Sequence, residues 1–99
     1  MSRKKHVGSS LTSLFDELDE RAELDLLTRK KIIAERLHEA MEQQRMTKKA
    51  LAEAMQTSRT VVHRLLDPSD TSVTLSTLAK ASKALGLELN VSFSEPDAA

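Results

Sequence analysis

The chain has 99 residues, of which 39% are hydrophobic and 30% are charged. This length predicts one globular domain, and its core must be aliphatic because Phe15 and Phe93 are the only aromatic residues. The absence of cysteine excludes disulfides and thiolate chemistry, so a reducing cytoplasm is the expected compartment. No apolar run approaches the ~20 residues of a membrane span, and no apolar region follows the basic residues 3–5, which argues against a signal peptide.

The charges are distributed unevenly along the chain, although the formal net charge is zero. Residues 28–66 contain nine Lys and Arg against four Glu, a surplus of five positive charges, whereas the segments 1–27 and 67–99 are acidic. DNA responds to the local field of a protein rather than to its total charge, so the basic middle segment suits a nucleic-acid partner. Ordinary solvated helix faces explain the same distribution equally well.

The first part of the chain predicts a polar arm, residues 1–9, followed by two helices. A short helix over residues 10–25 is indicated by apolar residues at helical spacing: Leu11, Leu14, Phe15, Leu18 and Ala22. A second helix, residues 24–45, contains neither Gly nor Pro, and its start is ambiguous because Asp25 and Thr28 are both good N-caps. The acidic side chains of the first helix would suit a basic protein partner, although a solvated face is the commoner explanation: Asp16, Glu17, Asp19, Glu20, Glu23 and Asp25.

Thr47, Ser58 and Thr74 are predicted N-caps of three further helices, since Ser and Thr side chains accept hydrogen bonds from free helical amides. Asp67 and Pro68 begin a loop after the second of these helices. Gly86 is expected to end the third in a left-handed conformation. Beyond it, apolar residues alternate with polar ones and predict a half-buried strand: Leu87, Leu89, Val91 and Phe93.

The helices that begin after Thr47 and Ser58 have the features of a helix-turn-helix, in which two short helices cross closely across a turn of three or four residues. Ala52 supplies the small residue that a close crossing needs. A small core is expected from Leu51, Met55, Val62 and Leu65. The second helix would expose donors able to reach base edges: Arg59, Thr60, His63 and Arg64.

The segments 47–55 and 58–65 together resemble the helix-turn-helix of phage repressors, the Cro/C1 or XRE type, and residues 74–86 are similar to that family's closing helix. The resemblance covers about residues 29–86 and implies sequence-specific binding of double-stranded DNA. One departure is Gln56, at a turn position where the family often has Gly. A non-Gly residue can occupy a left-handed position there at a cost of ~1 kcal/mol.

Each candidate DNA contact has a structural alternative. Arg59 and Thr60 are favoured as base contacts, against two solvated side chains in a first helical turn. His63 either donates to DNA or is simply exposed, and Arg64 contacts phosphate or pairs with Glu53. The remaining candidates are phosphate donors that could equally be helix caps, turn formers or solvated side chains: Lys48, Lys49, Ser58, Thr71 and Ser72.

The predicted fold is an all-α, lambda-repressor-like helix-turn-helix bundle with an N-terminal helical extension (1–27), a DNA-binding domain ending in a short C-terminal β-strand (28–93) and a tail (94–99). The expected function is transcriptional regulation, as a repressor on a palindromic operator. The layout of the whole chain is also similar to HigA-type antitoxins, which implies an alternative function: neutralising a partner toxin. Neither a cofactor nor a metal is expected, since the three histidines are far apart in sequence, and no paired nucleophile and base suggests an enzyme.

The predicted strand also indicates a homodimer. A single strand leaves backbone amides and carbonyls unpaired, and the extension contains helices rather than a strand that could pair with it. We therefore expect residues 87–93 to pair with their copy across a two-fold axis. Such a dimer would separate two recognition helices by about one DNA turn, ~34 Å.

Overall fold

The computed structural model describes residues 9–96, which form four helices and no strand. They are α1 (Ser9–Gln44), α2 (Lys48–Met55), α3 (Arg59–Leu66) and α4 (Leu75–Leu85). The prediction of an all-helical bundle is therefore confirmed. Most of the predicted arm, including His6, and the last three residues of the predicted tail lie outside the described residues.

The prediction of two helices before Thr47 is wrong, because α1 is a single helix of 36 residues. Neither Asp25 nor Thr28 acts as a cap. The Thr28 hydroxyl instead donates to the backbone oxygen of Leu24, one turn earlier, at 3.0 Å. Since residues 9–44 contain no Gly or Pro, nothing in the backbone interrupts the hydrogen-bonding pattern.

The predicted boundaries of the other helices are confirmed. The side-chain oxygens of Thr47, Ser58 and Thr74 accept hydrogen bonds from backbone amides three residues later, at 3.0 to 3.2 Å. Gln56 ends α2 and Gly86 ends α4, both in the left-handed region, with φ of 56° and 71°. Short polar side chains therefore fix where these helices begin, and left-handed residues fix where two of them end.

The core lies between the second half of α1 and the three shorter helices. α2 packs against α3 and α4, and α1 packs against the same two helices. The predicted helix-turn-helix core is confirmed, since Leu51, Met55, Val62 and Leu65 are all buried. The other core residues come from α1, α2, α3 and α4: Leu37, Ala40, Met41, Ala52, Leu66, Ala81 and Leu85.

The strand predicted after Gly86 is not formed in the single chain, in which residues 87–96 have no regular secondary structure. Leu87 and Leu89 line an apolar groove between α1 and α4. Further along, Val91 is 63% exposed and Phe93 is fully exposed. Alternating hydrophobicity produces a strand only where another strand can pair with it, and the described residues supply none.

Candidate DNA-binding surface

The turn between α2 and α3 consists of residues 56–58, the length that a helix-turn-helix requires. The Thr57 amide donates to the backbone oxygen of Ala52 at 2.9 Å, and Gln56 adopts φ 56° and ψ 50°. Ala52 is only 4% exposed, so its small side chain lies within the packed contact. The left-handed position expected at Gln56 is thus present, occupied by a residue with a Cβ.

The apolar and the polar side chains of α3 lie on different faces of the helix. Val62, Leu65 and Leu66 are buried against the other helices. The four predicted contact residues are all exposed: Arg59, Thr60, His63 and Arg64. Their spacing of i, i+1, i+4 and i+5 places them together on the face opposite the buried one. The predicted pairing of Arg64 with Glu53 is not formed, since the one ion pair within residues 9–96 joins Arg36 to Glu39.

The predicted phosphate donors occupy three places around this face. Lys48 and Lys49 are exposed in the first turn of α2, where backbone amides are free of helical partners. The Ser58 side chain caps α3, and its oxygen accepts from the Val61 amide. Ser72 donates its hydroxyl to Asp70 at 2.6 Å, and its neighbour Thr71 is half-buried in the same loop. Ser58 and Ser72 therefore have structural roles, whereas the two lysines have no ion-pair partner in the described part of the chain.

Side chains of α1 bind the C-terminal carbonyls of α3, a contact that the sequence analysis missed. The ammonium group of Lys30 is buried and donates to the backbone oxygens of Arg64, at 3.1 Å, and of Asp67. His38 lies one turn beyond Ala34, and its Nε2 donates to the oxygen of Leu66 at 3.2 Å when it carries the proton. A positive charge at a helix C-terminus is favourable, so these bonds fix the end of α3 on α1.

A sequence signal for Lys30 does exist. Lys30, Ala34, Leu37 and Met41 follow one another at helical spacing, and all four are buried. Lys30 therefore occupies a core position of α1, although it belongs to a run of basic residues, a pattern typical of a solvated surface. Gln44, further along α1, donates in the same way to the C-terminal oxygen of Leu85 in α4, at 2.7 Å.

The electrostatics around Lys30 are set by burial and by the loop after α3. Burial lowers the pKa of the Lys30 ammonium, and the carboxylates of Asp70 and Asp67 oppose this shift. Hydrogen bonds from the backbone amide and hydroxyl of Ser69 lower the pKa of Asp67. Hydrogen bonds from the hydroxyl and amide of Ser72 lower the pKa of Asp70. The loop that follows α3 is therefore held by two ionised carboxylates.

Two other kinds of site are absent from residues 9–96. Among residues 9–96, no three His, Asp or Glu side chains converge in a way that could hold a metal ion. None of the described helices combines the length and the hydrophobicity needed to cross a bilayer.

Comparison with known families agrees with this geometry. A family model of the Cro/C1-type HTH DNA-binding domain matches residues 36–90, which is 55 of the 99 residues. The chain belongs to this family. Neither curated proteins nor solved structures gave a match. This Cro/C1-type protein is a helix-turn-helix transcriptional regulator. The match begins within α1 and leaves the first three quarters of that helix outside the matched residues.

Proposed function

We propose that this Cro/C1-type protein is a cytoplasmic, sequence-specific repressor rather than an enzyme, and that it binds a palindromic operator as a homodimer. The observation that carries the proposal is the face of α3, where Arg59, Thr60 and His63 are exposed together next to the turn. Side chains at the start of a recognition helix contact base edges when that helix lies in the major groove. The domain that binds would be residues 28–93, and residues 1–27 would be its extension.

Within this proposal, specificity and affinity come from different residues. Arg59 would pair with a guanine through two hydrogen bonds, and the Thr60 methyl group would contact thymine. His63 and Arg64 would extend the contacts along the groove. Lys48 and Lys49 would contact phosphates, and Ser58, Thr71 and Ser72 would donate to phosphates from the two ends of the surface, which adds affinity without reading sequence.

Selection of bound sequences from a random duplex pool tests this function. We expect one enriched palindrome, whose half-site spacing shows how two recognition helices are placed. The logarithm of the affinity for that duplex should then fall linearly with the logarithm of the salt concentration, by about 0.9 per phosphate contacted. No enrichment, or an affinity that salt leaves unchanged, would contradict the proposal.

Two single variants separate the proposed roles. Arg59→Ala should weaken binding to the selected duplex by about 1–3 kcal/mol and relax the preference at one base pair. Lys48→Ala should weaken binding to selected and random duplexes alike. Equal losses on both duplexes for Arg59→Ala would show that Arg59 does not read sequence.

The dimer would form through the C-terminal segment. Val91 and Phe93 are apolar and exposed in one protomer, and the backbone of residues 88–93 makes no hydrogen bond within the described residues. Pairing between two copies would satisfy these groups and create the strand that a single chain lacks. Truncation after Gly86 should give a monomer in sedimentation, with much weaker operator binding. A truncated chain that still dimerises would place the interface elsewhere.

An antitoxin function, in which the chain neutralises a partner toxin, is the second candidate. The observation that favours it is the exposed first half of α1, which lies outside the matched domain. Both functions can coexist if the chain also represses its own promoter. A toxin reading frame directly beside the gene, and loss of that toxin's activity on mixing with this chain, would establish it.

A further inference from the structure

The first half of α1 is exposed to solvent along almost its whole length. Between residues 11 and 26 every side chain is exposed except that of Thr12, and the buried face of α1 begins only at Leu27 and Lys30. The molecule is correspondingly long, 54 Å along its major axis and 17 Å along its minor one. This half of the helix extends away from the DNA-binding domain.

Its apolar residues form one stripe. Leu11, Leu14, Phe15 and Leu18 are each 44–49% exposed, and we call these four residues the α1 docking face. Their spacing is i, i+3, i+4 and i+7, so they share one side of the helix. Amphipathic helices that insert into the groove of another protein use anchors at this spacing.

The charges around the docking face are almost all negative. Residues 9–27 contain six carboxylates and only Arg21 as a base, a net charge of −5. With 100° between successive residues, Asp19 and Glu23 lie on one side of the stripe, whereas Arg21 and Glu17 lie on the other. None of these carboxylates forms an ion pair within the described residues. A binding surface that surrounds this helix would therefore be complementary if it carried Lys and Arg at its rim.

A second copy of the chain is a poorer occupant. Coiled coils between copies need an apolar seam sustained over three or four heptads, whereas the docking face spans one. Further along the same side, Asp25 and Arg29 interrupt the stripe. Pairing two docking faces would also bring two segments of charge −5 together, which like-charge repulsion disfavours.

We infer that the α1 docking face inserts into an apolar groove of a different protein, whose groove is rimmed by basic side chains. The inference deepens the second candidate function by naming the surface and the chemistry of the partner, and it does not depend on DNA binding. The four apolar side chains of the docking face become buried in the groove, and the acidic side chains beside them face its basic rim. Because salt screens the attraction between these charges, the complex weakens as the salt concentration rises.

Matched variants of the full chain test the inference. Leu14→Asp places a charge in the docking face, and Leu24→Asp makes the same change at an exposed leucine on another side of α1, 64% exposed. Wild type and both variants are used to capture proteins from a lysate of the source organism. Each captured protein is identified, purified and titrated against all three chains at several salt concentrations.

We expect a basic protein that wild type and Leu24→Asp bind alike, that Leu14→Asp binds at least about tenfold more weakly, and whose affinity falls with salt. A partner that Leu14→Asp binds as well as wild type does, an affinity independent of salt, or no captured protein would overturn the inference. Sedimentation of the three chains provides a further test, because a homodimer dissociated by Leu14→Asp alone would make a second copy the occupant. Binding of the selected duplex should be the same for all three chains, so a failure of the docking inference is distinguishable from a failure of DNA binding.

Discussion

The two halves of α1 have the same secondary structure and opposite surroundings. In the second half, Leu37, Ala40 and Met41 are buried against α3 and α4, and even the Lys30 ammonium is enclosed. In the first half, leucines at the same helical spacing remain exposed. An apolar stripe therefore predicts a helix in both halves, but it does not predict what covers the stripe, because that depends on which elements the topology brings alongside.

Truncating a core leucine should cost far more stability than truncating a leucine in the exposed first half of α1. Leu51→Ala removes a fully buried side chain and should lower the free energy of unfolding by about 2–5 kcal/mol, through lost burial and the cavity that remains. Leu14→Ala should change it by less than about 0.5 kcal/mol, because that side chain is exposed in the described chain. Urea unfolding of both variants, followed by circular dichroism, measures the difference. A large loss for Leu14→Ala would mean that the first half of α1 is packed in solution.

Lys30 lies where the two halves meet, and its neighbour Lys31 provides a control. Lys30→Met keeps the length of the side chain and removes both hydrogen bonds to the end of α3, so we expect a loss of about 1–3 kcal/mol in the free energy of unfolding. Lys31→Met changes an exposed side chain and should lie within about 0.5 kcal/mol of wild type. The same urea titration applies. Equal effects in the two variants would show that the buried ammonium contributes nothing to holding α3.

Of the three left-handed helix ends, at Arg45, Gln56 and Gly86, the last two allow a smaller, reciprocal test within the DNA-binding domain. Gln56→Gly should stabilise the fold by up to about 1 kcal/mol, since glycine adopts a positive φ without steric cost. Gly86→Ala should destabilise it by a similar amount through backbone strain alone, because an added Cβ at Gly86 meets no atom within 4 Å. Thermal unfolding measures both. A stabilising Gly86→Ala would contradict the left-handed assignment.

The smallest expected effect is on the pH dependence of stability, through the loop after α3. The pKa of Asp70 is lowered in the folded chain, so its contribution to stability is complete above the unfolded value of about 3.9 and is lost as the pH falls through the lower folded value. Asp70→Asn keeps an oxygen for the Ser72 donors but cannot titrate. The decline of Tm below about pH 4 should therefore be shallower in Asp70→Asn. Asp25→Asn, in the exposed half of α1, is the control for removing a surface carboxylate.

Local side-chain chemistry made much of the DNA-binding domain predictable. Thr47, Ser58 and Thr74 are N-caps because a hydroxyl next to free amides accepts hydrogen bonds wherever the helix begins. The left-handed conformation of Gly86 and the burial of Leu51 follow from equally local patterns. These signals lie within a few residues of the feature that they predict.

The wrong and missed features depend on distant residues. Whether residues 87–93 form a strand depends on a partner strand, and alternation in one segment cannot supply it. The contact between Lys30 and Arg64 joins residues 34 positions apart, so helical spacing can mark Lys30 as a core position but cannot indicate which residue it contacts. The break predicted near Asp25 failed for another reason: capping residues within a continuous helix can bond to their own helix, as Thr28 does.

Because α1 is continuous, the docking face lies at a fixed angle around the helix axis from the part of α1 that holds α3. With no Gly or Pro between Ser9 and Gln44, the intervening turns act as a spacer of defined length and angle. One residue inserted after Arg21 would turn the docking face by about 100° and move it by about 1.5 Å relative to Lys30. Seven inserted residues would restore its direction to within about 20° and extend the spacer by roughly 10 Å. Direction and distance could thus be varied almost independently in this one helix.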